Sequence, residues 1–170
     1  IMRDETHKLS KRYGDANFED FTKKGYLPHA IVNYISLLGW APKDNQEKFT
    51  MQELIERFSI DGLKKSGSIF DIKKLQWFNF EYLKELSDEE YYNYLLPFLK
   101  EINPDASAQW YQNMCVLLRD RLTYGAEAKT LYENFFKEID LNALSDEVVA
   151  FLKEEGVEKT IETLYQRFQT

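Results

Sequence analysis

The sequence predicts an almost wholly α-helical protein, and three observations carry that expectation. Apolar residues recur at helical spacing along most of the chain, cap-forming residues precede those runs, and no stretch alternates polar and apolar residues as a half-buried strand would. At 170 residues, 44% hydrophobic and 15% aromatic, the chain has apolar material for one sizeable core or two small ones. A disordered tail is excluded. A short strand near residues 3 to 7 is the one departure expected from an all-α class.

In chain order, Asn17 is placed to cap a helix over residues 18 to 24, closed by Gly25, which suits the left-handed turn that ends many helices. Pro28 fits the first turn of the next helix, over residues 29 to 38, with Gly39 as its stop and Trp40 folding back onto it. Thr50 with Glu53 and Ser87 with Glu90 have the spacing of capping boxes, each ahead of an apolar face. Asp71 caps the helix that carries Leu75, Phe78 and Tyr82. Pro97 lies inside a helical pattern, so a kink or break is expected near Leu96, and Asn103-Pro104-Asp105 marks a turn. Further helices are expected over residues 107 to 122, 126 to 138, 146 to 155 and 157 to 169, with Gly156 separating the last two.

The net charge is −7, unevenly spread. Residues 1 to 65 hold 11 basic and 10 acidic side chains, and residues 66 to 170 hold 11 and 19. Affinity for RNA rests on phosphate neutralisation, so any nucleic-acid contact must be local and long-range steering weak. The change in balance and the turn at Leu86-Ser87 suggest two regions, 1 to 85 and 86 to 170. Cys115 is the lone cysteine, in an apolar helical stretch, and is expected to be a buried, inert thiol; no metal site is expected. No apolar run has the length of a membrane span and nothing resembles a signal peptide, so a cytoplasmic protein is expected.

Chemistry concentrates in three ordered blocks. Lys8-Leu9-Ser10-Lys11-Arg12 is followed by Gly25-Tyr26-Leu27-Pro28-His29-Ala30-Ile31-Val32-Asn33-Tyr34, running on to Leu37-Leu38-Gly39-Trp40, and then by Phe70-Asp71-Ile72-Lys73-Lys74-Leu75-Gln76-Trp77-Phe78-Asn79 with Tyr82. A basic loop alone is usually a solvated turn. Together the blocks resemble the bacterial glutamyl-tRNA synthetases, class I enzymes with a K-[ML]-S-K-[SR] signature loop. The resemblance is specific from Arg3 to about Leu83; beyond that it rests on order and helical character.

The resemblance implies a glutamate-tRNA ligase whose parent enzyme uses ATP and magnesium to make a glutamyl adenylate and passes the glutamate to tRNA(Glu). It implies a signature-loop and stem-contact region followed by a helical anticodon-binding bundle. Lys11, and less directly Lys8, would neutralise the charge that develops on the ATP phosphates, and Ser10 with Leu9 would shape the loop. Arg12 would hold the loop or touch the acceptor end of the RNA. The family's nucleotide-binding half precedes the loop, and a further helical subdomain follows, so the chain reads as a fragment cut at both ends and inactive alone, with no cofactor of its own.

For tRNA contact the candidates are Lys23, Lys24, Lys64, Lys65, Lys73 and Lys74 in the first region and Arg119 and Arg121 in the bundle, with Arg121 the preferred reader. A surface arginine satisfying carbonyls at a helix end is an equally good reading of Arg121. Trp40, Trp77, Trp110 and the Tyr91-Tyr92 pair read mostly as core, His29 as exposed, and the acidic clusters as caps and solvated faces. A monomer is expected. The rival function is a helical protein-interaction module without RNA-directed activity.

Overall fold

Short-range sequence signals set where the helices begin. In a computed structural model, which describes His7 and residues 17–136, 144–154 and 156–168, nine α-helices and one 3-10 turn are found among the described residues. They are α1 (Phe18–Lys23), α2 (Pro28–Gly39), α3 (Met51–Arg57), the 3-10 turn (Ile60–Gly62), α4 (Ile72–Leu83), α5 (Asp88–Ile102), α6 (Ala108–Leu118), α7 (Glu127–Phe136), α8 (Asp146–Leu152) and α9 (Val157–Phe168). No strand occurs among the described residues; the nearest thing is an isolated antiparallel bridge between Trp40 and Leu63. Apart from His7, the strand expected at residues 3 to 7 lies outside the described residues, as does the whole signature loop.

Of the four expected N-caps, those at Thr50, Asp71 and Ser87 form. Thr50 accepts from the Glu53 backbone N–H while the Glu53 carboxylate accepts from Thr50 N at 2.7 Å, and Ser87 and Glu90 repeat the arrangement. Asp71 accepts from Lys73 N at 2.8 Å and Ser107 from Trp110 N at 3.2 Å. Asn17 stands at the start of α1 but makes no side-chain cap bond. Gly25 and Gly156 both have positive φ, which any side chain would strain.

Two expectations are corrected. Helix α5 runs through Pro97 without the break that was one of the two expected outcomes there. Pro97 is exposed, and Tyr91 and Leu95 before it and Leu99 after it are all buried in one cluster with α6, so packing on both sides outweighs the one missing backbone bond. Helix α6 stops at Leu118 instead of Leu122, because the chain turns there: the N–H groups of Arg121 and Leu122 both donate to Leu118 O at 3.0 Å, which brings Leu122 into the core.

The chain divides into two compact units, residues 1–135 and 136–170. In the first, α2 packs on α4 through Ala30, Ile31, Tyr34, Leu75, Phe78 and Tyr82, and α5 packs on α6 through Tyr91, Leu95, Leu99, Tyr111, Met114 and Leu118. Each fully buried large apolar side chain contributes roughly 1.5–3 kcal/mol. Trp40 folds back as expected, joining Phe49 and Leu54 in a third cluster, and Gly62 runs so close to the indole that a Cβ there would overlap it. The second unit is a hairpin in which α8 packs on α9.

Two buried asparagines interrupt these apolar faces. Asn33 donates to Glu47 O and accepts from Phe49 N, both at 2.7 Å, tying the 41–49 loop to α2. Asn79 accepts from Leu27 N at 2.7 Å and donates to Thr123 O at 2.6 Å. A buried amide survives only when its groups are paired, and these two are.

Candidate nucleic-acid interface

The cationic side chains differ sharply in how far the fold has already engaged them. Lys74 reaches Glu47 at 2.6 Å and lies 4.3 Å over the ring of Trp77. Lys64 donates to Leu37 O at 2.7 Å, covering a carbonyl at the end of α2. Both line a cavity of about 530 Å³ whose other walls include Tyr34, Trp40, Asn45 and Glu47. Lys65 and Lys73 are exposed, and no hydrogen bond or ion pair engages their ammonium groups among the described residues. Lys23 and Lys24 are likewise exposed at the end of α1.

The two arginines are equally distinct. Arg119 pairs with Asp88 at 3.1 Å, donates to Leu86 O and stacks 4.9 Å from the centroid of Tyr91, bracing the start of α5 against the end of α6. Arg121 is exposed; it donates to Leu117 O at 2.9 Å and lies over Phe135 at 5.8 Å. Spacing alone put the two on different faces, and the structure gives Arg119 a partner acid from another helix and leaves the Arg121 guanidinium at the surface.

Of the aromatics, Trp40 and Tyr91 are core and Trp110 and Tyr92 are partly buried, but Trp77 is 41% exposed, correcting its assignment to the core. Its helix buries Leu75, Phe78 and Tyr82 instead, which turns position 77 outward, where Lys74 covers one ring face. His29 is exposed as expected, its ring edge-on to Tyr82 at 4.7 Å, and partial burial there lowers its pKa below the usual imidazole value. Burial pushes the Cys115 thiol up to about 11, so at neutral pH it carries almost no thiolate. No cluster of three or more His, Cys, Asp or Glu able to hold a metal occurs among the described residues. No described helix is long and apolar enough to cross a membrane.

Sequence reasoning missed Asn33 and Asn79. Their signal is an amide set inside an apolar run, Ile31-Val32-Asn33-Tyr34 and Trp77-Phe78-Asn79-Phe80, which flags a buried polar group with distant partners.

The family described as "tRNA synthetases class I (E and Q), catalytic domain" matches residues 1–77, a span that takes in the loop, α1 to α3 and the first half of α4. A "Glutamate--tRNA ligase" from Alkaliphilus metalliredigens is 39% identical over 175 residues, covering 99% of this chain. The chain belongs to the glutamate-tRNA ligase family. A second glutamate-tRNA ligase, from Clostridium novyi, is 46% identical over 154 residues and covers 91% of the chain. The match to these ligases covers 35% and 28% of their own lengths, so the chain spans about a third of the curated relatives it matches. A crystal structure of a glutamate tRNA ligase from Elizabethkingia meningosepticum, in complex with its amino acid, superposes over 100% of this chain and 37% of its own, with a TM-score of 0.72 at 24% identity, a likeness of fold. The glutamate-tRNA ligase resemblance therefore extends past residue 83, through helices whose sequence carried few diagnostic letters.

Proposed function

We propose that this chain is the tRNA-contacting part of a glutamate-tRNA ligase, whose whole enzyme activates glutamate with ATP and transfers it from the adenylate to tRNA(Glu). The observation that carries the reading is the family's likeness along 99% of the chain, joined to cations that the fold leaves at the surface. Residues 1 to 85 serve as the signature-loop and stem-contact region and residues 86 to 170 as the anticodon-binding part, a functional division within the chain. Lys11 and Lys8 face the ATP phosphates in the whole enzyme, with Ser10 shaping the loop. Magnesium accompanies the nucleotide there, and the described residues supply no cluster to hold it. On this reading the chain works in the cytoplasm as a monomer and is inactive in aminoacylation on its own.

Lys65 and Lys73 are the phosphate contacts of the first region, because they exchange only water for phosphate, whereas Lys64 and Lys74 must first leave Leu37 O and Glu47. The ring of Trp77 beside Lys74 suits a base or ribose next to a phosphate. Arg121 is the base reader, and Arg119 supports the helix pair that presents it.

Labelled tRNA(Glu) titrated into the chain at two salt concentrations tests this, with an anticodon-substituted tRNA and Arg121→Ala as comparisons. Binding that weakens with salt, with the altered anticodon and with the variant supports the reading. Binding indifferent to the anticodon leaves only phosphate contact by the first region. No binding at all overturns the reading and favours a helical interaction module.

A further inference from the structure

The segment between α1 and α2 and the turn between α6 and α7 are joined by an unusual concentration of specific contacts. Asn79, 0% exposed, bridges them: its Oδ1 takes the Leu27 N–H at 2.7 Å and its Nδ2 donates to Thr123 O at 2.6 Å. Ala126 N donates to Lys24 O at 2.9 Å, and the Tyr94 hydroxyl of α5 donates to Gly25 O at 2.5 Å. The rings of Tyr26 and Tyr124 stack at 4.8 Å with an interplanar angle of 11°. Gly25, at φ +92°, sits where a Cβ would come 2.6 Å from Gly125 N, so two backbones meet with no side chain between them. The Glu127 carboxylate accepts from Thr123 N and Oγ1 at 2.7 Å each, which stiffens the turn from the bundle side.

A single contact could slide; this set cannot. Hydrogen bonds of opposite polarity from one amide, a stacked ring pair and a glycine-to-glycine approach fix distance, rotation and tilt together. The helix that supplies Asn79 also carries Lys73 and Lys74, and Thr123, which it grips, lies two residues after Arg121 in the same turn.

We propose that Asn79 is the positioning residue of a rigid joint that sets the spacing between the lysines of the first region and Arg121, so that one tRNA engages both at once. The proposal rests on the tRNA-contacting reading above. Joining two weak contacts in a fixed frame turns the second into an intramolecular event and raises affinity without any new contact. Freedom at the joint removes that gain while leaving each contact intact.

The test compares the affinity of the full chain for intact tRNA(Glu), for its isolated anticodon stem-loop and for the same tRNA lacking the anticodon arm. Asn79→Asp keeps an oxygen for Leu27 N–H but sets a second oxygen against Thr123 O, so it opens only the bundle side of the bridge. Tyr94→Phe, a milder change, removes the bond to Gly25. The unaltered chain is expected to bind the intact tRNA about a hundredfold more tightly than either part. Each variant is expected to lose most of that ratio while binding the two parts as before. An unchanged ratio in both variants overturns the proposal, and so does an equal loss on parts and whole, which assigns the contacts to folding alone. If the unaltered chain binds none of the three RNAs, the tRNA-contacting reading itself fails; if it binds each part but gains nothing from the whole, only the joint does.

Discussion

The Tyr82 hydroxyl lies 2.7 Å from Asn33 Oδ1 and 2.6 Å from Phe49 O, so a phenol from α4 closes the same pocket of polar atoms that an amide from α2 opens. Burial drives the Tyr82 pKa up to about 12, leaving the hydroxyl a donor throughout the physiological range. Asn33→Ala strands Phe49 N and Glu47 O together. It is expected to lower stability by about 2–4 kcal/mol, against about 1 kcal/mol for Tyr82→Phe, which leaves Asn33 bonded to the loop. Urea unfolding of both variants measures the difference, and equal losses would contradict the hierarchy.

Arg119 and Arg121 should separate by readout. Arg119→Ala removes the pair with Asp88 and the bond to Leu86 O, and is expected to lower the unfolding midpoint. Arg121→Ala gives up one bond to an exposed carbonyl and a surface contact over Phe135, and is expected to lower the midpoint less than Arg119→Ala while weakening tRNA binding. Thermal unfolding and RNA titration of the two variants check the assignment together.

The helix starts make the protein sensitive to acid. Bonds from the Ser87 backbone and hydroxyl hold the Glu90 carboxyl below its usual pKa, and Thr50 does the same for Glu53. Folded pKa values below the unfolded ones contribute stability that is complete above about pH 4.3 and is lost as the pH falls through the depressed native values. Ser87→Ala is expected to cost about 1 kcal/mol at neutral pH. It should also flatten the acid limb of a stability-against-pH curve, which chemical denaturation at stepped pH records.

His29 titrates in the opposite chemical sense and with the same pH direction. Burial against Tyr82 is the main cause of its lowered pKa; nearby Lys48 adds to it and Glu85 opposes it. The neutral ring is the form the fold prefers, so its contribution is complete above about pH 6.5 and is lost as the pH drops through the lower native value. The ring protons of His29 are expected to titrate with a midpoint below that of free histidine by NMR. A midpoint above it would contradict the burial argument.

Cys115 is expected to resist alkylation in the native chain at neutral pH and to react fully in denaturant, because its pKa of about 11 and its burial both suppress the thiolate. Mass spectrometry after a timed reaction counts the label.

The features legible in the sequence were those decided within one turn of chain. Thr50 with Glu53, Ser87 with Glu90 and Asp71 each satisfy backbone groups two or three residues away, so their spacing is the whole story. Pro97 misled because its preference to break the helix was outweighed by the packing of Leu95 and Leu99, on the same helix, against α6. Trp77 misled because hydrophobicity alone does not say which face of α4 turns inward. The partners of Asn79 lie 52 and 44 residues away, beyond any periodic pattern. At the candidate interface, lysines in short basic pairs could be seen at once, but not which ammonium groups the fold had already spent on Leu37 O and Glu47.

The joint around Gly25 also sets an order of events during translation. Its halves come from opposite ends of the first unit: Lys24 needs Ala126, and Gly25 needs Tyr94, 69 residues later. Until the ribosome releases the turn after α6, the Lys24 carbonyl lacks the Ala126 N–H and the Asn79 amide lacks Thr123 O. The glycyl-tyrosyl segment that opens α2 is thus made early and locked late, and a pause in synthesis before residue 126 would leave a helix pair formed with its clasp still open.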